Sequence, residues 1–224
     1  LQKTLYRLSS GARVNRGGDD AAGLAIADGL SGQIRTLQQS VRNANDGIGF
    51  IQVADSALGQ VSNLLNRAAS LLTQAASDTN SAGQSAIETE LAQIYQEIDR
   101  IGAATSYNGV AVFSTDSVDV FIGDTQNLTA SNAQVSFSTG ELNMSALNVA
   151  SGVSGSGSSI IVSMTTISPS AQLVEVEAAI DTIASRRGSL GAKMNRMENS
   201  VSIMQAQIQN LTAAESQIRD ADMA

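Results

Sequence analysis

Apolar residues recur at alternating spacings of three and four along the last fifty residues, which is the pattern of a coiled-coil helix. Only Arg187 and Glu215 interrupt the row. Ser168 is a typical capping residue, and Pro169 suits the first helical position because that position needs no backbone donor. We therefore predict one helix from Pro169 to about Asp222, roughly 80 Å long. The row consists of Leu173, Val176, Ile180, Ile183, Leu190, Met194, Met197, Val201, Met204, Ile208, Leu211 and Ile218.

A second, nearly heptad row in the N-terminal part predicts another long helix, which begins near Ala21 with Asp19 or Asp20 as its cap. Several glycines lie inside it, each weakening an isolated helix by roughly 1 kcal/mol relative to Ala, so this helix must depend on its neighbours. After a polar turn at 77–83, a third and shorter helix places Ile87, Leu91, Ile94, Ile98 and Ile101 in register. The second row consists of Leu30, Ile34, Leu37, Val41, Ala44, Ile48, Ile51, Leu58, Val61, Leu65 and Leu72.

The middle of the chain changes to a β-like period. We predict strands at 110–113, 118–122, 134–137 and 160–166, with a turn at 106–109 before the first of them. Residues 151–159 are almost entirely Ser and Gly, which is typical of a flexible surface loop. The fold class expected from these patterns is mainly α: a long antiparallel, coiled-coil-like helical rod with a small β-hairpin region in the middle and both chain ends together.

Composition removes many functions from consideration. The 224 residues include no Cys and no His, which excludes disulfides, thiol nucleophiles, Ser-His-Asp catalysis and His-ligated zinc. The net charge of −8 argues against binding to nucleic acid or to an anionic membrane surface. No run of about 18 apolar residues occurs, so we expect no membrane-spanning segment. An enzyme is made improbable but is not excluded, because Lys, Asp and Glu can still perform acid–base work.

The outer helix faces are rich in Ala, Ser, Asn and Gln, and only 15% of all residues are charged. A solvated helix normally shows many Glu and Lys side chains. Two interpretations therefore stay open. The chain forms either a soluble bundle with an uncharged surface or a subunit whose outer faces pack against copies of the same molecule.

Specific segments resemble the bacterial flagellin family. Residues 8–11 (Leu-Ser-Ser-Gly), with Arg13 and Asn15, precede residues 19–27 (Asp-Asp-Ala-Ala-Gly-Leu-Ala-Ile-Ala), which are similar to the family's N-terminal signature. Further similar segments follow in order. They are residues 42–47 (Arg-Asn-Ala-Asn-Asp-Gly), 97–100 (Glu-Ile-Asp-Arg), 107–109 (Tyr-Asn-Gly), 183–195 and 210–222.

The resemblance implies a structural subunit of the bacterial flagellar filament, without catalytic site or cofactor, that supports motility by self-assembly. It implies export through the flagellar type III apparatus without a cleavable signal peptide, and an extracellular location in the flagellum. The implied partners are other flagellin subunits and the flagellar cap and hook-associated proteins. The implied division is an N-terminal half of the rod domain at 1–112, a variable β-rich region at 113–168 and a C-terminal rod helix at 169–224.

The resemblance also indicates what this sequence lacks. Family members carry further amphipathic segments at both termini, which form the inner tube of the filament. This sequence starts at Leu1, not Met, and stops just after Asp222, so it resembles a flagellin truncated at both ends. We expect the 224-residue chain not to polymerise.

Flagellins of many motile bacteria are recognised by Toll-like receptor 5, and the resemblance implies a receptor-binding set of Arg67, Leu71 and Glu90. Arg67 and Leu71 are four residues apart, so they share one helix face. A second interpretation is that Arg67 and Glu90 form a surface ion pair worth at most about 1 kcal/mol, and the two are compatible. Strongly recognised family members carry charged residues where this chain has Ala69 and Ser70.

Three other features permit a chemical interpretation. Asp19 and Asp20 could hold a metal, but helix capping is the stronger expectation because no third ligand accompanies them. Arg186 and Arg187 could bind an anion or simply be polar surface or a subunit contact. The Ser/Thr-rich stretch at 114–170 could accept O-linked sugars or be a solvated loop.

Two further protein classes fit the sequence less well than the flagellins. The hook–filament junction protein shares the terminal helices but usually has Pro near the Asp-Asp pair, whereas this chain has Ala21 and Ala22 there. A ligand-binding adhesin would require aromatic platforms or a concave polar site, and aromatic residues make up only 3% of the chain.

Overall fold

The computed structural model describes residues 10–77, 83–123, 134–149, 153–154, 160–163 and 168–220. Three α-helices and six short strands make up its regular structure. The helices are α1 (Ala21–Ala75, 55 residues), α2 (Gln84–Ala104, 21 residues) and α3 (Pro169–Arg219, 51 residues). The strands are β1 (Ser106–Tyr107), β2 (Val110–Ala111), β3 (Val118–Phe121), β4 (Gln134–Phe137), β5 (Val153–Ser154) and β6 (Ile161–Val162). The mainly α fold class, with two N-terminal helices and one long C-terminal helix, is confirmed.

The helix starts follow from local chemistry. Asp20 caps α1, because its Oδ1 accepts a hydrogen bond of 2.9 Å from the backbone N–H of Gly23. A Cβ atom added at Gly23 would lie 2.5 Å from Asp20 Oδ2, so the glycine leaves room for the capping carboxylate. Helix α3 begins at Pro169 as predicted. Its predicted end near Asp222 lies outside the described residues, as does most of the predicted turn at 77–83.

The chain divides into two compact units. The first comprises Leu1–Ile48, Asp119–Val135 and Asn195–Ala224, and the second comprises Gly49–Val118 and Ser136–Met194.

In the first unit, α1 and α3 share an apolar cluster built around Leu37, Ala44 and Met204. Gly47 permits a close contact within this unit, since a Cβ there would lie 2.8 Å from Val120 Cγ2 and 3.1 Å from Met197 Sδ. This contact explains why a glycine, and not a larger residue, occupies the buried position 47 of α1.

The two ends of the described chain meet in the first unit, as predicted. Ala12 forms a β-bridge with Asp220, and the backbone N–H of Arg13 donates to the carbonyl oxygen of Arg219 at 2.7 Å. The Arg13 guanidinium donates to the carbonyl oxygen of Ile218 at 3.1 Å. Arg13 thereby satisfies carbonyl groups that a helix leaves unpaired at its C-terminus.

In the second unit, α2 buries one face, with Leu91, Tyr95 and Ile98 fully enclosed. After α2, a tight hairpin joins β1 to β2, which pair as Tyr107 with Val110. Its turn residues Asn108 and Gly109 have φ values of +50° and +79°, a left-handed pair typical of two-residue hairpins. The sequence predicted only a turn at 106–109, whereas Ser106 and Tyr107 form a strand.

A segment that we call the strap, residues 134–149, holds to the helices of the second unit through its part from Ser136 onward. Lys193 on α3 donates to the carbonyl oxygen of Ser136 at 2.8 Å, and Asp99 on α2 accepts from the backbone N–H of Met144 at 2.9 Å. The Phe137 ring lies 5.6 Å from the Phe50 ring of α1, centroid to centroid. The strap buries four further apolar side chains, Leu142, Met144, Leu147 and Val149, none of which the sequence pattern predicted as core.

Each of the four predicted strand regions contains a strand, and two further strands, β1 and β5, were not predicted. Strand β4 has the predicted bounds, while β2, β3 and β6 are shorter than 110–113, 118–122 and 160–166. Residues 164–167 lie outside the described residues. The prediction of a loop throughout 151–159 is wrong at Val153–Ser154, because β5 pairs antiparallel with β6 there. A two-residue strand cannot be recognised in this Ser- and Gly-rich segment, because the strand is defined by backbone hydrogen bonds and not by particular side chains.

The buried stripe of α3 also differs from the predicted row, most clearly in its first turns, where Gln172 is buried and Leu173 is half-buried. Ala179 is fully buried, whereas Ile180 is half-buried at the edge of the stripe. The size of Ile180 favoured it as the core residue, but the smaller Ala179 faces the core instead.

Gly102 and Gly59 offer a matched test of this packing. A Cβ at Gly102 would lie 1.8 Å from the carbonyl oxygen of Leu142, whereas a Cβ at Gly59 meets no atom within 4 Å. We expect Gly102→Ala to destabilise the protein by about 1–3 kcal/mol, because backbone must move to relieve the overlap. We expect Gly59→Ala to stabilise it by up to about 1 kcal/mol through helix propensity. Urea unfolding followed by circular dichroism measures both, and equal effects of the two changes would contradict this packing.

Candidate functional site

Arg67 on α1 and Glu90 on α2 form an ion pair on the surface of the second unit. Arg67 Nε and Nη2 both donate to Glu90 Oε1, at 2.9 Å and 2.7 Å. The side chains are 57% and 42% exposed, so both can be reached from solvent while each restrains the other. The ion pair expected from the sequence is therefore present, and it links two helices rather than two turns of one.

Leu71, the third residue of the predicted set, is not on this surface. It is only 3% exposed and lies beside the fully buried Leu72. Arg67 and Leu71 are one turn apart, but the edge of the buried stripe passes between them. The structure thus brings Arg67 and Glu90 together and places Leu71 in the core beneath that part of α1.

The surroundings of the pair on α1 are uncharged. Ser70 is exposed and Ala69 is half-buried. Asn66 donates to the carbonyl oxygen of Ser62 at 2.9 Å, and the Thr73 hydroxyl donates to that of Ala69 at 2.8 Å. These neighbours satisfy their polar groups on their own helix, which leaves the Arg67–Glu90 pair as the charged feature of this stretch.

Arg186 and Arg187 are both engaged within the chain, which does not favour an anion site. Arg187 makes a two-pronged pair with Asp55 of α1, with Nε to Oδ1 at 2.7 Å and Nη2 to Oδ2 at 3.2 Å. The hydrogen bonds and charge of Asp55 raise the pKa of Arg187 above its usual value. The sequence pattern suggested no partner for Arg187, although Asp55 stands seven residues after Ile48 in an otherwise uncharged column.

Arg186 binds the strap. Its Nη1 donates to the carbonyl oxygen of Glu141 at 2.7 Å and lies 3.5 Å from that of Thr139. Between them Gly140 has a φ of +67°, and a Cβ there would lie 3.5 Å from the guanidinium. Burial lowers the pKa of Arg186. The side chain therefore serves as an internal clamp on the strap.

Of the acidic pair Asp19 and Asp20, Asp20 caps the N-terminus of α1, as the capping interpretation predicted. Among the residues that the structure describes, no group of three or more His, Cys, Asp or Glu side chains could hold a metal ion. Within the same residues, no helix is both long enough and apolar enough to cross a membrane.

Family comparisons match both ends of the chain. The model for the bacterial flagellin N-terminal helical region matches residues 1–117, and the model for the C-terminal helical region matches residues 173–224. The described residues between them include the strap and the strands β3, β5 and β6. The matched segments therefore contain nearly all of the three helices.

Individual relatives agree. The chain is 35% identical to a flagellin of Halalkalibacterium halodurans over 226 aligned positions, covering 100% of the chain and 79% of that protein. It is 37% identical to a flagellin of Bacillus subtilis, covering 100% and 81%. It is 36% identical to the flagellar filament 33 kDa core protein of Treponema phagedenis, covering 100% and 80%. The crystal structure of Bacillus cereus flagellin has the same fold, with a TM-score of 0.58 and 24% identity over 78% of the chain and 94% of that structure.

Long helices with heptad stripes, matched from end to end by proteins named as filament components, define a structural filament subunit and not an enzyme. The chain belongs to the bacterial flagellin family. Its place is therefore in the extracellular flagellar filament, which is built from such subunits.

Substitutions at Arg67 and Leu71 distinguish the surface residue from the buried one. We expect Arg67→Ala to change the free energy of unfolding by less than about 1 kcal/mol, because both members of its ion pair are well solvated. We expect Leu71→Ala to cost about 2–5 kcal/mol, because it leaves a cavity in the core. Urea denaturation of the two variants checks this, and a cost at Leu71 as small as that at Arg67 would place Leu71 on the surface instead.

Proposed function

We propose that this flagellin is exported unfolded through the flagellar type III apparatus, without a cleavable signal peptide. In this proposal it assembles at the growing filament tip together with the cap and hook-associated proteins, and so supports motility. The observation that carries the proposal is the pair of family matches at 1–117 and 173–224. The absence of Cys from the sequence is compatible with passage of an unfolded chain, since no disulfide has to be broken or formed.

The proposal retains the three-part division of the chain into 1–112, 113–168 and 169–224. The first and third parts would pack among neighbouring subunits, and the middle part would carry the features that differ between filaments. The positions of the family matches support this division.

Localisation in the source bacterium tests export and assembly. We expect an antibody against the chain to label external filaments, and deletion of the gene to reduce swimming. Disabling the type III export apparatus should leave the protein inside the cell at its unaltered mass, because no signal peptide is removed. Continued secretion after that lesion, or a shortened mature protein, would refute the proposed route.

We further propose that Toll-like receptor 5, an innate immune receptor, recognises the second unit through Arg67, Leu71 and Glu90. The exposed Arg67–Glu90 pair supports this assignment, because a guanidinium held in place by a carboxylate loses little freedom on binding. The burial of Leu71 gives it the part of supporting the helix face that carries Arg67. The uncharged Ala69 and Ser70 make a weak interaction the expected result.

Binding of the purified chain to the receptor ectodomain tests this site. We expect Arg67→Ala and Glu90→Ala each to lower the affinity about tenfold or more, as truncation of an interface hot spot does. The matched control is Arg100→Ala, which removes a similarly exposed arginine paired with Glu97 on α2. An affinity of the Arg67→Ala variant equal to that of the unaltered protein, or an equal loss in the control, would reject the site.

A further inference from the structure

The core between α1 and α3 in the second unit repeats the same kind of residue every seven positions. On both helices a large aliphatic side chain returns at each heptad. Cores accept one aliphatic residue in place of another of similar size, so sliding one helix by a heptad would still bury aliphatic side chains against each other. The repeated residues are Ile51, Leu58, Leu65 and Leu72 on α1 and Val176, Ile183 and Leu190 on α3.

Within the second unit, the half-buried columns beside this core contain one charged residue on each helix. On α1 the column holds Asp55, and on α3 it holds Arg187. In the second unit every other position of these two columns is uncharged and half-buried. The next charged position of the α3 column, Glu215, lies in the first unit. The remaining residues are Ser62 and Ala69 on α1 and Leu173, Ile180 and Met194 on α3.

These two exceptional residues meet. Asp55 and Arg187 form the two-pronged pair at 2.7 Å and 3.2 Å, and their side chains are 44% and 43% exposed. The pair lies where the buried stripe of α3 is interrupted, because no residue between Ile183 and Leu190 is buried. The ion pair thus lies next to an interruption of the buried stripe, which would otherwise pass through position 186.

We propose that the Asp55–Arg187 pair is a register lock, which selects one axial alignment of α3 against α1 among alignments that the core alone scarcely distinguishes. The helices run antiparallel here, since Asp55 meets Arg187 while Ala75 at the end of α1 lies near Pro169 at the start of α3. A slip by one heptad in one direction sets Arg187 opposite Ser62. A slip in the other direction sets Asp55 opposite Ile180.

Either slip separates the two charges and places each beside an uncharged, partly buried surface. A single polar residue in an otherwise apolar seam is known to fix the register of coiled coils in the same way, at some cost in stability. The two-pronged geometry adds direction, because a guanidinium matches a carboxylate in one orientation. The pair selects one register because the two slipped alignments of α3 against α1 are made less stable.

The lock matters for a protein that assembles with its own copies. A slip of seven residues displaces the outer surface of α3 relative to α1 by about 10 Å at a rise of roughly 1.5 Å per residue. Subunits in different registers would present different outer faces, and a regular polymer requires the same face on every copy. The pair therefore favours regular assembly, because it gives every subunit the same register.

The neighbouring residue, Arg186, contacts the strap. It binds the carbonyl oxygens of Thr139 and Glu141 in the strap and makes no bond to α1 in the described structure. The strap itself contacts α1 through the Phe137 and Phe50 rings. The competing explanation is that this ring contact, and not the ion pair, determines the register.

Distance measurements between two spin labels test the proposal. The chain has no Cys, so Gln74→Cys and Ala192→Cys provide unique labelling sites at exposed positions of α1 and α3. They are far apart along the helices, so a slip changes their separation by nearly the full 10 Å or so. With Asp55 and Arg187 unaltered, the two spin labels should show a single distance. Asp55→Leu with Arg187→Leu should add a second population shifted by about that amount.

Three further variants make the result decisive. The charge swap Asp55→Arg with Arg187→Asp should restore a single distance, and the neutral pair Asp55→Asn with Arg187→Gln should show the second population even if the leucine pair folds poorly. Glu97→Leu with Arg100→Leu removes an exposed ion pair within α2 and should leave one distance. A single, unshifted distance in both uncharged pairs would overturn the proposal and assign the register to the strap.

Discussion

Helices of 55 and 51 residues can each bury only a narrow stripe, and this constraint determines most of the structure. A stripe that returns every seven residues requires a partner with the same period, which α1 and α3 supply to each other. Large side chains fill one column, and small ones such as Ala54, Ala68 and Ala179 bring the backbones close at the next. The remaining faces stay outside, where Ala, Ser, Asn and Gln leave them nearly uncharged.

The short strands depend on the helices for their hydrogen bonds. Strands of two to four residues have open edges, and an unpaired carbonyl group near a core is costly. Helix side chains donate to these groups within each unit. Ser40 and Asn43 reach the carbonyl oxygens of Gly123 and Phe121, Lys193 and Arg186 reach those of Ser136 and Glu141, and Gln96 reaches that of Ile160. Polar side chains on these helices thus pair with backbone carbonyl groups that would otherwise need a neighbouring strand.

The sequence predicted the helices well because their stripes are long and periodic. It predicted the start of α1, the face of α2 and the start of α3, and it identified the residues that form the Arg67–Glu90 pair. It failed where a contact is made between distant backbones. The approach of Gly102 to Leu142 and the short pairing of Val153–Ser154 leave no periodic trace in one sequence. Leu71 shows the limit of the heptad rule, since two adjacent leucines left the edge of the stripe undetermined.

The contact of Arg13 with the last turn of α3 has a consequence for the order of folding. The first unit joins residues from both ends of the chain, and Arg13 is 205 residues away from its acceptor on Ile218. The segment at 12–14 cannot dock until residues 218–219 are in place, and contacts of such large sequence separation form slowly. The second unit contains no residue after Met194 and does not depend on this contact. The contact of Arg13 with α3 is therefore expected to be among the last to form when the chain folds.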